Sequence, residues 1–163
     1  MKTFPCSSST SVKIITIGVI IGLLLLVISI VFIRKDFGPL LGSILTIIIF
    51  GLVFYFYANS LKSIVLTDKN LILQKHLGKI EIEFSQIEWV KNMQYSALPM
   101  TVGSKGVFGF IGSTVDGATS FVKDQKNMVQ IKTLHKKYLI SCDSSTQLID
   151  LLESKTHIGS QTS

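Results

Sequence analysis

Residue types that carry out catalysis or bind metals are few in this chain of 163 residues, and they are widely separated. The histidines and cysteines are His76, His135, His157, Cys6 and Cys142. None of the histidines has metal-ligand spacing with another histidine or with a cysteine. Glu81 and Glu83 share one face of a predicted strand, where carboxylates are usually solvated. We therefore expect no catalytic site, no metal, no cofactor and no enzyme activity.

The two cysteines are expected to be inert. Cys6 follows Phe4 and Pro5, which do not provide the small-residue context of a lipid-attachment cysteine, so we interpret it as a thiol in an N-terminal tail. Cys142 ends a predicted strand and is expected to be half-buried. It is the single cysteine after residue 61, so that part of the chain has no internal disulfide and needs no oxidising compartment.

A glycine-rich stretch, residues 103–112, has glycine at every third position. It is not a phosphate-binding loop, because no Gly-Lys-Ser/Thr opens a helix there. One interpretation is a flexible connection between two sheets. The other starts from its bulky apolar side chains, which are too many for a solvated loop and either enter the core or contact the bilayer or a partner. The candidate contact residues are Lys105, Val107, Phe108, Phe110 and Ile111.

Two long apolar runs precede these features, residues 14–33 and 40–61, and the first has no charged residue. Twenty residues of helix rise about 30 Å, which is the thickness of the hydrocarbon core of a bilayer. We predict two membrane-spanning helices over residues 14–33 and 40–57. A cleaved signal peptide is the alternative for the first run, but that run is too long and has no small-x-small site before Arg34.

The short connection between the runs requires antiparallel neighbours, with Pro39 in the first turn of the second helix. At equal depth in the bilayer, Gly22 would lie near Gly51 and Ser29 near Ser43. Small residues allow close approach of helices in lipid. The residues predicted to line the contact between the helices are Gly18, Gly22, Ser29, Ser43 and Gly51. Gly18 and Gly22 also form a Gly-x-x-x-Gly motif, for which a homodimer face is the alternative interpretation.

Lysines indicate the orientation of this predicted hairpin. They flank the outer ends of the two runs at Lys2, Lys13, Lys62, Lys69, Lys75 and Lys79. Arg34 and Lys35 in the connection argue the other way but are fewer. By the positive-inside rule, we expect a multi-pass protein of the inner membrane, with both termini and the following domain cytoplasmic.

After residue 61 the pattern changes to short alternating segments separated by turns. The segments predicted to be strands are residues 63–67, 71–75, 79–84, 87–93, 118–123, 128–134 and 137–142. Ser144 and Gln147 have the spacing of a capping box, and they precede a short helix with an apolar face. We therefore divide the chain into a tail (1–13), a helical hairpin (14–61), a β domain (62–153) and a disordered tail (154–163).

This order of strands and helix resembles the bacterial pleckstrin-homology-like (PH-like) family. The resemblance depends on Ser63-Ile-Val-Leu-Thr-Asp-Lys-Asn-Leu-Ile-Leu, on Lys79-Ile-Glu-Ile-Glu-Phe-Ser-Gln-Ile-Glu-Trp-Val, on the glycine-rich stretch and on Tyr138-Leu-Ile-Ser-Cys-Asp. It implies an all-β, seven-stranded barrel or sandwich capped by a C-terminal helix. It also implies a non-catalytic binding or assembly module. Such domains in bacteria often occur beside transmembrane helices.

The function expected from the sequence is a membrane-anchored binding or scaffold module that presents a PH-like domain at the cytoplasmic membrane surface. Its expected partners are the bilayer and a protein partner or a second copy of the chain. One alternative is a lipid-surface sensor acting through the glycine-rich stretch, and another is an accessory subunit of a membrane enzyme or transporter. The basic residues are dispersed, so we expect no nucleic-acid binding. No small-molecule substrate is evident.

Overall fold

The structure is a computed structural model that describes residues 1–33, 39–93 and 98–156. The helices are α1 (Thr10–Ile33), α2 (Pro39–Asn59) and α3 (Ser145–Thr156). The strands are β1 (Lys2–Pro5), β2 (Leu61–Leu66), β3 (Asn70–Lys75), β4 (Lys79–Glu83), β5 (Ile87–Met93), β6 (Met100–Lys105), β7 (Phe110–Thr114), β8 (Ala118–Val122), β9 (Met128–Thr133) and β10 (Lys137–Ser141). A 3₁₀ turn, Phe84–Gln86, separates β4 from β5.

The strands form two sheets. One has the order β1-β2-β3-β4, and the other has the order β5-β9-β10-β8-β7-β6. Neighbouring strands are antiparallel except β8 and β10, which are parallel because the chain crosses over from β8 to β9 on the far side of β10. The predicted hairpin of the last two strands is present as β9 and β10.

All seven segments predicted to be strands are strands, with boundaries within two residues of those expected. The described residues contain three more strands than predicted: β1, β6 and β7. The glycine-rich stretch is therefore mostly sheet. Gly103 pairs with Gly112 across β6 and β7, and a Cβ on Gly112 would lie 2.1 Å from the Val102 carbonyl oxygen. The glycines allow two backbones to approach, and the alternating pattern that normally reveals strands is lost with their side chains.

The main core lies between the two sheets and α3. It contains Leu71 and Leu73 of the first sheet, Ile131 and Ile140 of the second, and Leu148 of the helix. A smaller cluster around Met128 and Leu139 lies under β6 and β7, and Phe110 packs against it. The apolar face predicted for the C-terminal helix is thus the face that covers the core, through Leu148 and Leu152.

The N-terminal segment is a part of the β domain, and the prediction of a tail over residues 1–13 is wrong. β1 pairs with β2 in antiparallel register, with Phe4 opposite Ile64. Phe4 is only 2% exposed, and Cys6 is buried in the same core. The sequence signal was weak because a four-residue strand with one inward apolar side chain has no measurable period.

The sides of α1 and α2 are largely exposed. Only 6% of the residues in the most apolar window of each helix are buried. Each helix is long and apolar enough to cross a membrane. Their bases adjoin the β domain, since α1 begins four residues after Cys6 and α2 ends at Asn59, two residues before β2.

The three glycines predicted to line the contact between the helices do not lie in it. A gap of about 50 Å³ between α1 and α2 is lined by apolar side chains, Ile20, Leu23, Leu24, Val27, Ile49, Phe50 and Val53. Gly18, Gly22, Ser29, Ser43 and Gly51 are all exposed. Among the described residues, and apart from each glycine's own stretch of helix, no atom lies within 4 Å of a Cβ built on Gly18, Gly22 or Gly51. Residues at equal depth in the bilayer need not face each other, because depth does not fix the rotation of a helix about its axis. Leu23 lines the gap between the helices, and Gly22 lies about 100° around α1 from it.

Candidate functional site

The turn between β6 and β7 packs against the first turns of α1. The Phe108 backbone N–H donates to Thr16 Oγ1 at 2.9 Å, and that hydroxyl donates to the Val12 carbonyl at 2.7 Å. Phe108 has a φ of 57°, a left-handed conformation that is uncommon for a non-glycine residue. At Gly106, a Cβ would lie 2.9 Å from Ile15 Cδ1. A hydroxyl at the start of the apolar helix thus fixes the tip of the glycine-rich stretch.

The end of α2 contacts the same turn from the other side. The Tyr57 ring lies 5.5 Å from the Phe108 ring, edge-on, and 4.6 Å from the His76 ring. His76 Nδ1 is 3.0 Å from both the hydroxyl and the carbonyl oxygen of Ser60. Lys75 Nζ donates to Asn59 Oδ1 at 3.0 Å. The turn between β3 and β4 is therefore attached to the last residues of α2.

Between these contacts lies a cavity of about 300 Å³, which we call the junction cavity. Its lining comes from the start of α1, the end of α2, the two turns and the end of β8. Three of its residues are basic: Lys13, His76 and Lys123. Three carry aliphatic hydroxyls: Ser8, Thr16 and Ser60. The other four are Val12, Ile17, Tyr57 and Phe108, so no described residue of the lining is acidic.

Lys123 is the least expected member of this lining, because it is a lysine only 8% exposed. Its backbone is held firmly: its N–H donates to Ser141 Oγ at 2.8 Å, and its carbonyl accepts from the Ser9 N–H at 3.0 Å. Among the described residues, no carboxylate oxygen lies within 4.0 Å of its Nζ and no hydrogen bond engages it. Burial lowers the pKa of Lys123, and the negative charge of Asp143 opposes that shift.

The groups near Lys123 do not neutralise it. Asp143 is the nearby carboxylate, and it accepts from the Ser7 N–H at 2.9 Å and from the Ser7 hydroxyl at 2.7 Å. Cys6 stays protonated at neutral pH, because burial strongly raises the pKa of its thiol. Burial also raises the pKa of Cys142 to about 11. Both thiols are therefore weak nucleophiles.

The structure separates the five candidate contact residues of the glycine-rich stretch. Ile111 is 5% exposed and belongs to the main core. Phe110 packs on the smaller cluster and Phe108 on the main one, each partly exposed. Val107 is half-buried, and its carbonyl accepts from Ser104 Oγ at 2.7 Å. Lys105 is exposed at the end of β6.

The residues considered for catalysis are not brought together. Within the described ranges, no three His, Cys, Asp or Glu side chains form a cluster that could hold a metal ion. Glu81 is exposed on β4, beside Lys79. His135 lies in the turn between β9 and β10, away from the junction cavity, and His157 lies outside the described residues.

Sequence reasoning missed the junction cavity because its members come from five separate segments. Thr16 offered one signal, since it is a hydroxyl one turn into an apolar run. Tyr57 and Ser60 offered another, at the end of the second run. Lys123 offered no signal in the sequence, because its burial depends on residues 6–9, which we predicted to be part of a tail.

Comparison with protein families gave a match to the family described as "Bacterial PH domain" over residues 62–156. Comparison with curated proteins and with solved structures gave no significant match. The matched range begins in β2 and ends with α3, so it contains both sheets except β1, together with the turns and the lysine that line the junction cavity. This chain belongs to the bacterial PH domain family.

Proposed function

We propose that this protein is a non-catalytic binding module anchored in the inner membrane. In this proposal α1 and α2 cross the bilayer as a hairpin, and the PH domain lies against the cytoplasmic surface, where it binds a protein partner or organises an assembly. The observation that carries the proposal is the exposure of the apolar sides of both helices while their bases are attached to the domain.

The exposed helix surface is difficult to reconcile with an aqueous environment. Ile47 is 70% exposed, and Phe54, Leu25 and Ile14 are exposed to a similar degree. Apolar area removed from water contributes about 25 cal/mol per Å², so a long helix pair with this surface is much more stable in lipid than in water. The core helix of a soluble protein would be mostly buried, which these helices are not.

The position of β1 favours a retained anchor over a cleaved signal sequence. β1 comes before α1, yet it pairs with β2, which follows α2. Removing residues up to the end of α1 would remove Phe4 from the core and unpair the edge of β2. The same pairing requires both ends of the hairpin to lie on one side of the membrane.

Charge favours the cytoplasm for that side. Lys2 and Lys13 precede or begin α1, and Lys62 and Lys69 follow α2. In bacterial inner membranes, lysine and arginine near the ends of helices are retained on the cytoplasmic side. Most of the flanking lysines are on the domain side, which favours a cytoplasmic PH domain.

The decisive experiment is membrane extraction of the full chain with a matched pair of variants. We expect the wild type to stay in the pellet after alkaline carbonate washing. Ile47→Lys should reduce the amount in the membrane, since lysine at the centre of a spanning helix costs about 2.5–3.5 kcal/mol. Val115→Lys changes a similarly exposed residue, 73%, in the β domain and should have no effect. Recovery of the wild type in the soluble fraction would refute the proposal.

The side of the membrane is tested separately with a reporter cysteine. Lys126→Cys introduces an exposed thiol in the turn between β8 and β9, whereas the native Cys6 and Cys142 are buried. We expect a membrane-impermeant maleimide to label this variant in disrupted membranes and not in intact spheroplasts. Labelling in intact spheroplasts would place the domain outside the cytoplasm.

The partner is tested by mild detergent extraction of cells. We expect specific proteins, or a second copy of the chain, to copurify with the wild type and with Val115→Lys. Measurable turnover of a substrate by the purified chain would instead overturn the non-catalytic assignment. The lipid-sensor alternative is less favoured, because Phe108 and Ile111 of the glycine-rich stretch are already engaged within the protein.

A further inference from the structure

We propose that the junction cavity binds a phosphate-bearing anion, with Lys123 and Lys13 as its cationic contacts. Two sources could supply that group at this position, the headgroup of an anionic phospholipid and a free phosphate compound. The lipid source rests on the membrane attachment proposed above, whereas binding of the phosphate group itself does not.

The first argument is that the ammonium group of Lys123 has no direct ion-pair or hydrogen-bond partner among the described residues. A cation removed from water is costly unless an anion or several acceptors replace its hydration. Lys123 as a residue is only 8% exposed, and among the described residues no carboxylate oxygen lies within 4.0 Å of its Nζ; Asp143, which accepts hydrogen bonds from Ser7, acts on Lys123 at longer range. Because no described buried side-chain nitrogen lacks a hydrogen-bond partner, this unpaired ammonium keeps its contact with solvent through the cavity. The side chain lines a cavity instead of packing into the core. An anion in that cavity would supply the missing partner.

The second argument is the composition of the cavity wall. Lys13 of α1 adds a second ammonium group, and Ser8, Thr16 and Ser60 add hydroxyls that can donate hydrogen bonds. With no acidic residue in the described lining, no fixed negative charge competes with a ligand. Phosphate oxygens prefer this combination of point charges and donors.

The third argument concerns size and surroundings. A volume of about 300 Å³ lies at the lower end of the range of ligand pockets, which suits a headgroup better than a large cofactor. Val12 and Ile17 form the wall on α1, and the exposed apolar side of that helix continues from Ile17. An anion held here with acyl chains attached could lay those chains along α1.

The test uses the full chain purified in an uncharged detergent, with ligand binding followed by the shift in thermal unfolding midpoint and by native mass spectrometry. The probes are dihexanoyl phosphatidylglycerol, sn-glycerol 3-phosphate, inorganic phosphate and dihexanoylglycerol, which has the acyl chains without the phosphate. We expect the phosphate compounds to raise the midpoint and dihexanoylglycerol to leave it unchanged. Tighter binding of the short-chain lipid than of glycerol 3-phosphate identifies a lipid source, and equal binding identifies a free one.

The matched variants are Lys123→Met and Lys126→Met, which remove one charge each from positions three residues apart. Lys126 is exposed and does not line the cavity. Loss of a charge-assisted contact should weaken binding about tenfold or more for Lys123→Met, and Lys126→Met should bind as the wild type does. Lys13→Met, on an exposed helix position that cannot disturb the core, should also weaken binding.

Unchanged affinity for the phosphate compounds in both Lys123→Met and Lys13→Met would overturn the inference. A loss of affinity in Lys126→Met as large as that in Lys123→Met would also overturn it, because it would show diffuse attraction of anions to a basic protein. Lys123→Met is expected to fold, because it replaces a buried cation with an apolar chain of similar length, and its unfolding without ligand checks this. A chain that sediments with membranes but binds the phosphate compounds equally well in the wild type and in both Lys123→Met and Lys13→Met refutes this inference and leaves the membrane anchor standing. Recovery of the chain in the soluble fraction would refute the proposed membrane anchor. Binding of glycerol 3-phosphate would then still test whether the junction cavity holds a phosphate group.

Discussion

The helical hairpin and the β domain use the same apolar residue types in opposite ways. In the β domain, Ile131 and Leu73 are fully buried between the sheets. In the hairpin, Ile47 and Phe54 are more than half exposed. The β domain buries its apolar side chains against one another, whereas the hairpin exposes apolar side chains that only a second apolar phase or molecule could cover.

The two regions meet at the junction cavity, where polar contacts accompany the apolar packing of Tyr57 against Phe108. Thr16 binds the Phe108 backbone, Ser60 contacts His76, and Ser9 binds the Lys123 carbonyl. Polar side chains are useful where a chain passes between environments, because they can exchange hydrogen bonds between protein, water and headgroups. Matched substitutions in the two regions test whether their apolar side chains differ in this way.

The largest expected effect comes from Phe4, which the sequence assigned to a tail. Phe4→Ala should lower the free energy of unfolding by about 3–5 kcal/mol, because the ring is 2% exposed in the main core. The matched control is Phe54→Ala on α2, where the ring is 60% exposed and truncation should cost far less. Urea unfolding in detergent, followed by the fluorescence of Trp89, the single tryptophan, measures both. Equal costs would contradict the assignment of β1 to the domain.

The contrast between Phe4 and the other strands shows what the sequence could reveal. β4 alternates charged and apolar residues, so one face is identifiable without a partner. Phe4 is buried because a segment more than fifty residues away in sequence returns beside it. Likewise, Gly103 and Gly112 carry no pattern, since what they contribute is the approach of two backbones. Local periodicity therefore predicted seven strands and α3. It could not predict the pairing of β1 with β2, because α1 and α2 separate these strands in the sequence.

The helix contact and the junction cavity were hidden for a related reason. Gly22 and Gly51 are small, which the sequence shows, but their orientation around each helix depends on how the bases of α1 and α2 are held by the domain. The same attachment buries Lys123. A residue pattern specifies which side chains are available, whereas the geometry at the junction decides which of them meet.

A second matched pair tests burial with identical side chains. Ile131→Ala, at 0% exposure in β9, should reduce stability by about 2–5 kcal/mol through lost burial and a residual cavity. Ile47→Ala, at 70% exposure, should change it by about 0.5 kcal/mol or less in detergent. The measurement is again urea unfolding monitored by Trp89. A large effect of Ile47→Ala would mean that α2 packs against something in the folded protein.

A third pair compares glycines. Gly112→Ala should destabilise the domain by about 1–3 kcal/mol or more, because the residue has a φ of +147° and a Cβ would strike the Val102 carbonyl. Gly22→Ala meets no neighbour within 4 Å and should be neutral or stabilising by up to about 1 kcal/mol, since alanine favours helix. Thermal unfolding, with circular dichroism for the helices and fluorescence for the domain, measures both. Destabilisation by Gly22→Ala would show that an additional chain or helix contacts that face.

The smallest expected effect is the response to acid, which should affect the β domain before the hairpin. The described residues of α1 and α2 contain no carboxylate, whereas Asp116 in the β domain accepts hydrogen bonds from Thr114 Oγ1 at 2.5 Å and Gln130 Nε2 at 3.0 Å. The Thr114 hydrogen bond is the main cause that lowers the pKa of Asp116. Because the folded pKa lies below the unfolded value of about 3.9, the stabilisation is complete above that value and is lost as pH falls through the folded pKa.

The matched variant is Asp116→Asn, which keeps the shape and removes the charge. Wild type and variant should differ by a constant amount between about pH 5 and 7, and the difference should shrink below about pH 4. Asp116 is exposed, so the contribution should be less than about 1 kcal/mol. Fluorescence of Trp89 should report this change while the helical dichroism stays constant. If the helical signal falls at the same pH as the fluorescence, the two regions unfold as one unit, and the junction contacts couple them more strongly than their separate apolar environments require.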